Sequence, residues 1–236
     1  MEISIKRKVK NPIIIEGFPG FGLVGTIASE FLVEHLKTEL IGNIFLDELP
    51  AMIAVHEGKI IQPIGIYYNK ENNIIIISGI SAMPGMEWKL ADAVLKLARD
   101  NEAKEIVSIE GVGTSLPNEK PKTYYYADDE KNSKKLETLK LEKLREGIIV
   151  GVTGILLAKG EGIKRTAIFV ETVSGLPDAN AAAEAIKAID GYLGLKVNYE
   201  PLKEQARKFE EKLKTILVKS MEAKEKQEQK QLSYVG

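Results

Sequence analysis

No cysteine occurs in the 236-residue chain, which excludes disulfides, thiol nucleophiles and cysteine-ligated zinc together. Histidine is almost as scarce, with only His35 and His56. Single histidines outside any motif argue against a classical zinc site, and neither has a serine or aspartate constellation nearby in sequence. His35 falls near the end of a helical pattern, where the helix dipole favours a surface imidazole. No apolar run approaches the roughly 18 residues needed to span a bilayer. Met1-Glu2-Ile3-Ser4-Ile5-Lys6 lacks the apolar stretch of a signal peptide, so a cytoplasmic location is expected. Charge of one sign is also missing: the formal net charge is −1. Neither nucleic acid nor a membrane surface is therefore expected as a partner. No catalytic group, cofactor or metal is expected.

What is present supports a proper core, with 44% of residues apolar. Isoleucine, lysine and glutamate are abundant, and four of the five glutamines lie beyond residue 200. That bias fits a thermophile. Strands are expected at Ile13 to Glu16, Leu40 to Leu46, Ala51 to His56, Ile60 to Tyr68, Asn73 to Ser78, Glu105 to Glu110, Thr123 to Ala127, Gly147 to Val150 and Thr166 to Thr172. Helices are expected at Gly22 to Lys37, Gly85 to Arg99, Glu130 to Leu144, Ile155 to Ala158 and Asp178 to Leu193, the last capped by Asp178 behind Pro177. Strands in close succession before residue 80 imply a hairpin inserted into the sheet or extending it. The alternation implies an α/β domain over residues 1–200, a three-layer sandwich around the sheet.

Beyond Pro201 the pattern changes. Leu202, Ala206, Phe209, Leu213, Ile216, Ser220 and Ala223 alternate spacings of four and three, a heptad seam. A long C-terminal helix over residues 201–231 is expected, either packed back on its own domain or shared as a coiled coil between subunits. The flanking positions are nearly all Lys, Glu or Gln, a narrow stripe that favours sharing. A terminal tail, Leu232-Ser233-Tyr234-Val235-Gly236, comes after the charged run.

The richest motif is Glu16-Gly17-Phe18-Pro19-Gly20-Phe21-Gly22-Leu23-Val24-Gly25, set between a strand and a helix. Gly20, Gly22 and Gly25 have the spacing of a dinucleotide fingerprint, and Asp47 follows at about the expected distance. Several features oppose that reading. Gly17, Phe18 and Pro19 separate Gly20 from the strand. Pro19 has no N–H to donate and holds Phe18 extended. Phe18 and Phe21 would also put large apolar groups where a polar ligand sits. Close helix-to-sheet packing and positive φ angles explain the glycines instead. The alternative is a small-molecule or nucleotide-binding enzyme that uses the Gly20–Gly25 loop, or the crevice at Gly111-Val112-Gly113-Thr114-Ser115 after another strand. Of the acidic clusters, Asp47-Glu48 and Asp128-Asp129-Glu130, the second is placed to open a helix. Tyr124-Tyr125-Tyr126 has no interleaved arginine and reads as a strand with alternating exposure rather than a base-stacking surface. Trp88 is either core or interface.

Taken together, these residues resemble a known family. The segment from Glu16 to Gly25, then Asp47-Glu48-Leu49-Pro50, then Gly58-Lys59-Ile60 before Gln62-Pro63, look like the N-terminal half of the proteasome-assembly-chaperone family. The likeness is to the second of the two eukaryotic partner chaperones and its archaeal relatives. Gly111-Val112-Gly113-Thr114 and the segment from Gly151 through Gly154 to Leu157 look like its middle. Glu171-Thr172 and the segment from Pro177 to Ala182 look like its C-terminal half. The resemblance implies a nucleoside-phosphorylase-like plan without that activity: a mixed, largely parallel sheet. It gives Gly17, Pro19, Gly20, Gly22, Gly25, Gly113 and Gly154 a structural role. It also implies a non-enzymatic chaperone or activator of the 20S proteasome. Such a homo-oligomer presents C-terminal tails to the α-subunits. Pairing with a second, related chaperone subunit stays open. The family's tail is hydrophobic-Tyr-X, whereas Tyr234 stands third from the end here.

Overall fold

The computed structural model describes residues 2–46, 54–56, 59–80, 84–114, 120–172, 177–198 and 204. Its strands are β1 (Glu2–Ile5), β2 (Ile13–Gly17), β3 (Glu39–Phe45), β4 (Ala54–His56), β5 (Lys59–Ile61), β6 (Ile64–Asn69), β7 (Ile74–Gly79), β8 (Glu105–Gly113), β9 (Thr123–Ala127), β10 (Glu142–Lys143) and β11 (Lys164–Thr172). The helices are α1 (Val24–His35), α2 (Glu87–Asp100), α3 (Glu130–Thr138), α4 (Gly151–Lys159) and α5 (Ala179–Leu193).

Nine strands form one open mixed sheet in the order β1-β3-β6-β7-β2-β8-β11-β9-β10. Its centre, β7-β2-β8-β11, is parallel. The flanks turn antiparallel through β6, β3 and β1 on one side and β9 on the other. The central strands are near-continuous runs of isoleucine and valine, as expected of strands buried on both faces. Ile15, Ile74, Ile76, Val107 and Ile109 pack on one side with α1, α3 and α5. Ile14, Ile75, Ile77 and Ile106 pack on the other with α2 and α4. Adjacent residues thus feed opposite cores, and the molecule is a three-layer α/β/α sandwich.

The expected hairpin is present twice. β6 and β7 extend the main sheet around a turn at residues 70–73, whereas β4 and β5 pair only with each other. The strand expected over Ile60 to Tyr68 is therefore two, parted at Gln62-Pro63, where proline cannot donate to a ladder. The helix expected over Glu130 to Leu144 ends at Thr138. Lys140 follows at φ 60°, and Glu142 and Lys143 join β9. Residues 147–150, expected as a strand, pair with nothing regular, and Ile148 stands 92% exposed. The helix expected over Ile155 to Ala158 starts four residues earlier, at Gly151. β1 was not anticipated; it adds an antiparallel edge to β3.

Candidate functional site

The glycine segment forms a turn between β2 and α1, built by backbone contact. A β-carbon on Gly17 would overlap the carbonyl of Gly25, and one on Gly25 would lie 2.5 Å from the carbonyl oxygen of Ile109. The first turn of α1 is thereby pressed onto β2 and β8. One 3-10 turn, Phe21–Leu23, leads into α1, with Gly22 at φ 61° and Leu23 at φ 50°. Two successive left-handed residues reverse the chain sharply. Gly22 bears that conformation freely, and Leu23 at a cost of about 1–2 kcal/mol. Gly22 O accepts from Asp178 N at 2.8 Å. Asp178 in turn caps α5 through Ala181 N at 2.9 Å and accepts from the Thr172 hydroxyl at 2.8 Å. Phe18 is buried and Phe21 half-exposed.

Beneath this turn lie two carboxyl groups that sequence reasoning missed. β2 and β8 both carry Ile-Glu-Gly toward their carboxyl ends, as Ile15-Glu16-Gly17 and Ile109-Glu110-Gly111. Parallel pairing sets Glu16 opposite Ser108, so Glu110 comes next on the same face. Glu16 is fully buried. The Thr153 hydroxyl of α4 lies 3.1 Å from Glu16 Oε1 and 3.3 Å from Glu110 Oε2. Glu16 Oε2 has no hydrogen-bond partner among the described residues. Glu110 Oε1 lies against Gly20, where a β-carbon would overlap it. Burial pushes the Glu16 carboxyl up to about 7, against the opposing pull of the Ser108 and Thr153 hydroxyls and the Phe18 backbone N–H. Burial, and then the neighbouring Glu16, push Glu110 up to about 8. The sequence signal was a charged residue inside each of two apolar runs, repeated in the same tripeptide.

Glu110 also lines a cavity of about 870 Å3. Its walls include Phe21, Tyr124, Phe169, Glu171 and the segment 142–150. Glu171 accepts from Tyr124 Oη at 2.9 Å. The cavity lies at the carboxyl ends of parallel strands, where open α/β sheets bind ligands. The glycine turn itself is a poor phosphate cradle, because Pro19 has no N–H to donate and Glu110 Oε1 occupies the space against Gly20.

A third buried acid, Glu105, lies at the opposite end of β8 on the other face. Its Oε1 accepts from Tyr192 Oη at 2.7 Å and from Asn132 Nδ2 at 3.0 Å. Burial raises its pKa, with the hydroxyl of Tyr192 opposing. This cluster ties α3 and α5 to the sheet.

Of the remaining sequence candidates, Asp129 caps α3 by accepting from Asn132 N at 3.0 Å. Tyr125 is buried between half-buried Tyr124 and Tyr126. His35 stacks on Phe31, and its Nε2 accepts from Asn198 N at 3.2 Å. Trp88 is 59% exposed, with Lys159 Nζ 5.6 Å from its ring centre. Gly113 faces the Phe21 ring, and Gly154 packs against the carbonyl of Ile149. Pro19 lies against Gly79. Asp47, Glu48, Ser115, the helix positions Leu202, Ala206, Phe209, Leu213, Ile216 and Ser220, and the tail Leu232, Ser233, Tyr234, Val235 and Gly236 lie outside the described residues. Among the described residues, no cluster of three or more His, Asp or Glu could hold a metal. No described helix is long and apolar enough to cross a membrane.

Fold and site define an α/β sandwich whose glycine turn is a backbone-packed joint over buried acids. Within that class, the chain belongs to the PAC2 family, whose model matches residues 14–217. An uncharacterized protein of Methanocaldococcus jannaschii is 30% identical over 213 residues, covering 89% of this chain and 87% of that one. Among solved structures, PbaA of Pyrococcus furiosus is described as an archaeal homolog of proteasome-assembly chaperone. It is 32% identical and covers 94% of this chain and 100% of its own, with a TM-score of 0.83. PbaB of the same organism, described as an archaeal proteasome activator, is 24% identical. It covers 91% of this chain and 98% of its own, with a TM-score of 0.75, a likeness of fold.

Proposed function

We propose that this protein is a non-enzymatic proteasome assembly chaperone or activator. In this reading it binds the α-ring of the 20S core particle as a homo-oligomer presenting its C-terminal tails. The observation that carries the reading is the full-length likeness to PbaA, 32% identical over 94% of this chain. The heptad seam from Leu202 to Ser220 supports it by offering a way to gather several tails. Weak tails bound together gain affinity through effective concentration when the geometry matches. A free terminal carboxylate is a natural group for capture by a lysine or backbone amides. The polar spacer Lys224 to Gln231 has the composition of a segment that orders on binding.

The test is co-sedimentation with 20S core particle or isolated α-rings, using the whole chain and a variant lacking Leu232 to Gly236. Binding by the whole chain, lost on deletion with the oligomer intact, is expected. Equal binding by the deletion variant would refute the tail mechanism. A small-molecule reading is favoured by the cavity on which Glu110 opens. A thermal-shift screen with nucleotides and NAD tests it, since ligand at a hundredfold excess over Kd stabilises by about 2.7 kcal/mol.

A further inference from the structure

The hydrogen-bond geometry between Glu16 and Glu110 bears on how many protons the pair holds. A threonine hydroxyl carries one hydrogen. Thr153 Oγ1 lies within hydrogen-bond distance of oxygens on both acids, at 3.1 and 3.3 Å. It can donate to only one. The other contact is a hydrogen bond only when that second carboxyl is itself protonated and donates to Oγ1. The Ser108 hydroxyl and the backbone N–H groups of Phe18 and Gly111 also favour the charged forms, but with both acids ionised two buried like charges still share the single Thr153 proton between them, an arrangement that favours retaining a proton.

Thr153 belongs to the first turn of α4, and that end of the helix has few other ties. Val150 provides no side-chain cap, and the chain enters through Gly151 at φ 80°. Val152 is buried, but Ile148 and Val150 before it are exposed. The far end of α4 is held differently. Lys159 pairs with Asp92 of α2 at 2.5 Å, and Arg165 Nη1 donates to the Leu157 carbonyl at 2.6 Å. Residues 142–150 lead into α4 and form one wall of the cavity.

We propose that Glu16, Thr153 and Glu110 form a one-proton latch that holds the amino-terminal end of α4, and the adjoining cavity wall, against the glycine turn. Loss of that proton above neutral pH releases this end of the helix. The surface of Phe21, Ile148 and Val150 around the cavity then changes shape with pH. The groups facing the pair can be named. The glycine turn, from Gly17 to Gly25, carries no charge. α4 contributes Thr153 and, at its far end, Lys159 already paired with Asp92 of α2. β8 contributes Ser108. The cavity side contributes Glu171, bonded to Tyr124, together with Glu142, Lys143, Arg145 and Glu146. The charge that raises Glu110 is that of Glu16, and both pKa values near 7 and 8 place the release in the accessible range.

Hydrogen exchange of residues 148–160, followed by mass spectrometry between pH 6.5 and 9, tests the latch once intrinsic exchange is divided out. A one-proton equilibrium changes protection by up to about tenfold per pH unit. In the native chain, protection of α4 falls with pH. In Glu110→Gln the amide donates to Thr153 at every pH, and the slope disappears. Thr153→Val lowers protection in the acidic half of the range. Equal slopes in the native chain and Glu110→Gln overturn the proposal, as does a flat native profile. A second measurement needs no variant. Carboxyl carbon NMR of glutamate-labelled protein, with the signals assigned, shows at least one of Glu16 and Glu110 still protonated at pH 6.5 and titrating near neutrality. If every glutamate is ionised by pH 6, the latch does not exist.

Discussion

Glu16 and Glu110 oppose folding at neutral pH, and the sign comes from their raised pKa values. In the unfolded chain a glutamate releases its proton near pH 4.3. In the folded chain these two retain it to about 7 and 8. Between those limits the folded state binds more protons, so stability falls as pH rises from about 4.5 to 8 and then levels off. At about 1.4 kcal/mol per pKa unit, the two shifts together make the pair's contribution several kcal/mol across that range. Urea unfolding of the native chain and Glu110→Gln at pH 5 and pH 8.5 measures it. The native chain loses more stability than the variant over that interval. Gly22 gives a second residue-scale expectation, of opposite character because it depends on shape alone. Gly22→Ala must adopt φ 61° and place a methyl group into the Thr172 hydroxyl that binds Asp178. The expected loss is about 2–4 kcal/mol at every pH, read by the same unfolding experiment.

At the scale of elements, the sequence revealed most where one period dominated. The isoleucine runs of β2 and β7 and the apolar spacing of α2 and α5 could hardly be read otherwise. The layered α/β plan came from their alternation. Misreadings arose where two signals competed. Leu139 and Leu141 stand two apart, and that step interrupts the helical spacing begun at Asp129. The chain leaves the helix at Lys140 to place Glu142 and Lys143 beside β9. Ile148, Ile149 and Val150 have strand composition, but a glycine bounds each side and no neighbouring edge receives them. They form a cavity wall instead. Glu16 and Glu110 escaped notice for another reason. A single strand cannot reveal that its acid will face another; only the register of β2 against β8 does. The exposure of 147–150 carries its own prediction. Ile148→Ser removes a side chain that buries almost nothing, so stability changes by less than about 0.5 kcal/mol in thermal unfolding. A substantial loss would mean that Ile148 is covered in solution, which a concentration-dependent Tm would reveal.

For the whole molecule, the question is whether the α/β sandwich stands without the heptad segment and the tail. Among the described residues, the two large buried clusters are assembled from residues between Val9 and Val197. After α5 the chain returns to the core through Leu195 and Val197, and Val197 N donates to Asp190 Oδ1 at 3.2 Å. The heptad seam begins only at Leu202. Its narrow apolar stripe suits a helix shared between subunits better than one laid against a broad domain face. A chain ending at residue 200 is therefore expected to fold, with a Tm within a few degrees of the native value. If the proposed function holds, it would lose the oligomer and with it the gathered tails. Light scattering coupled to size exclusion would report the monomer mass, and near-UV circular dichroism the retained packing. A truncated chain that unfolds would instead make the seam part of the domain's own core. A folded truncated chain that keeps its oligomer would move the subunit contact onto the sandwich, where the exposed Val55–Ile60 pair of the β4–β5 hairpin is the first surface to mutate.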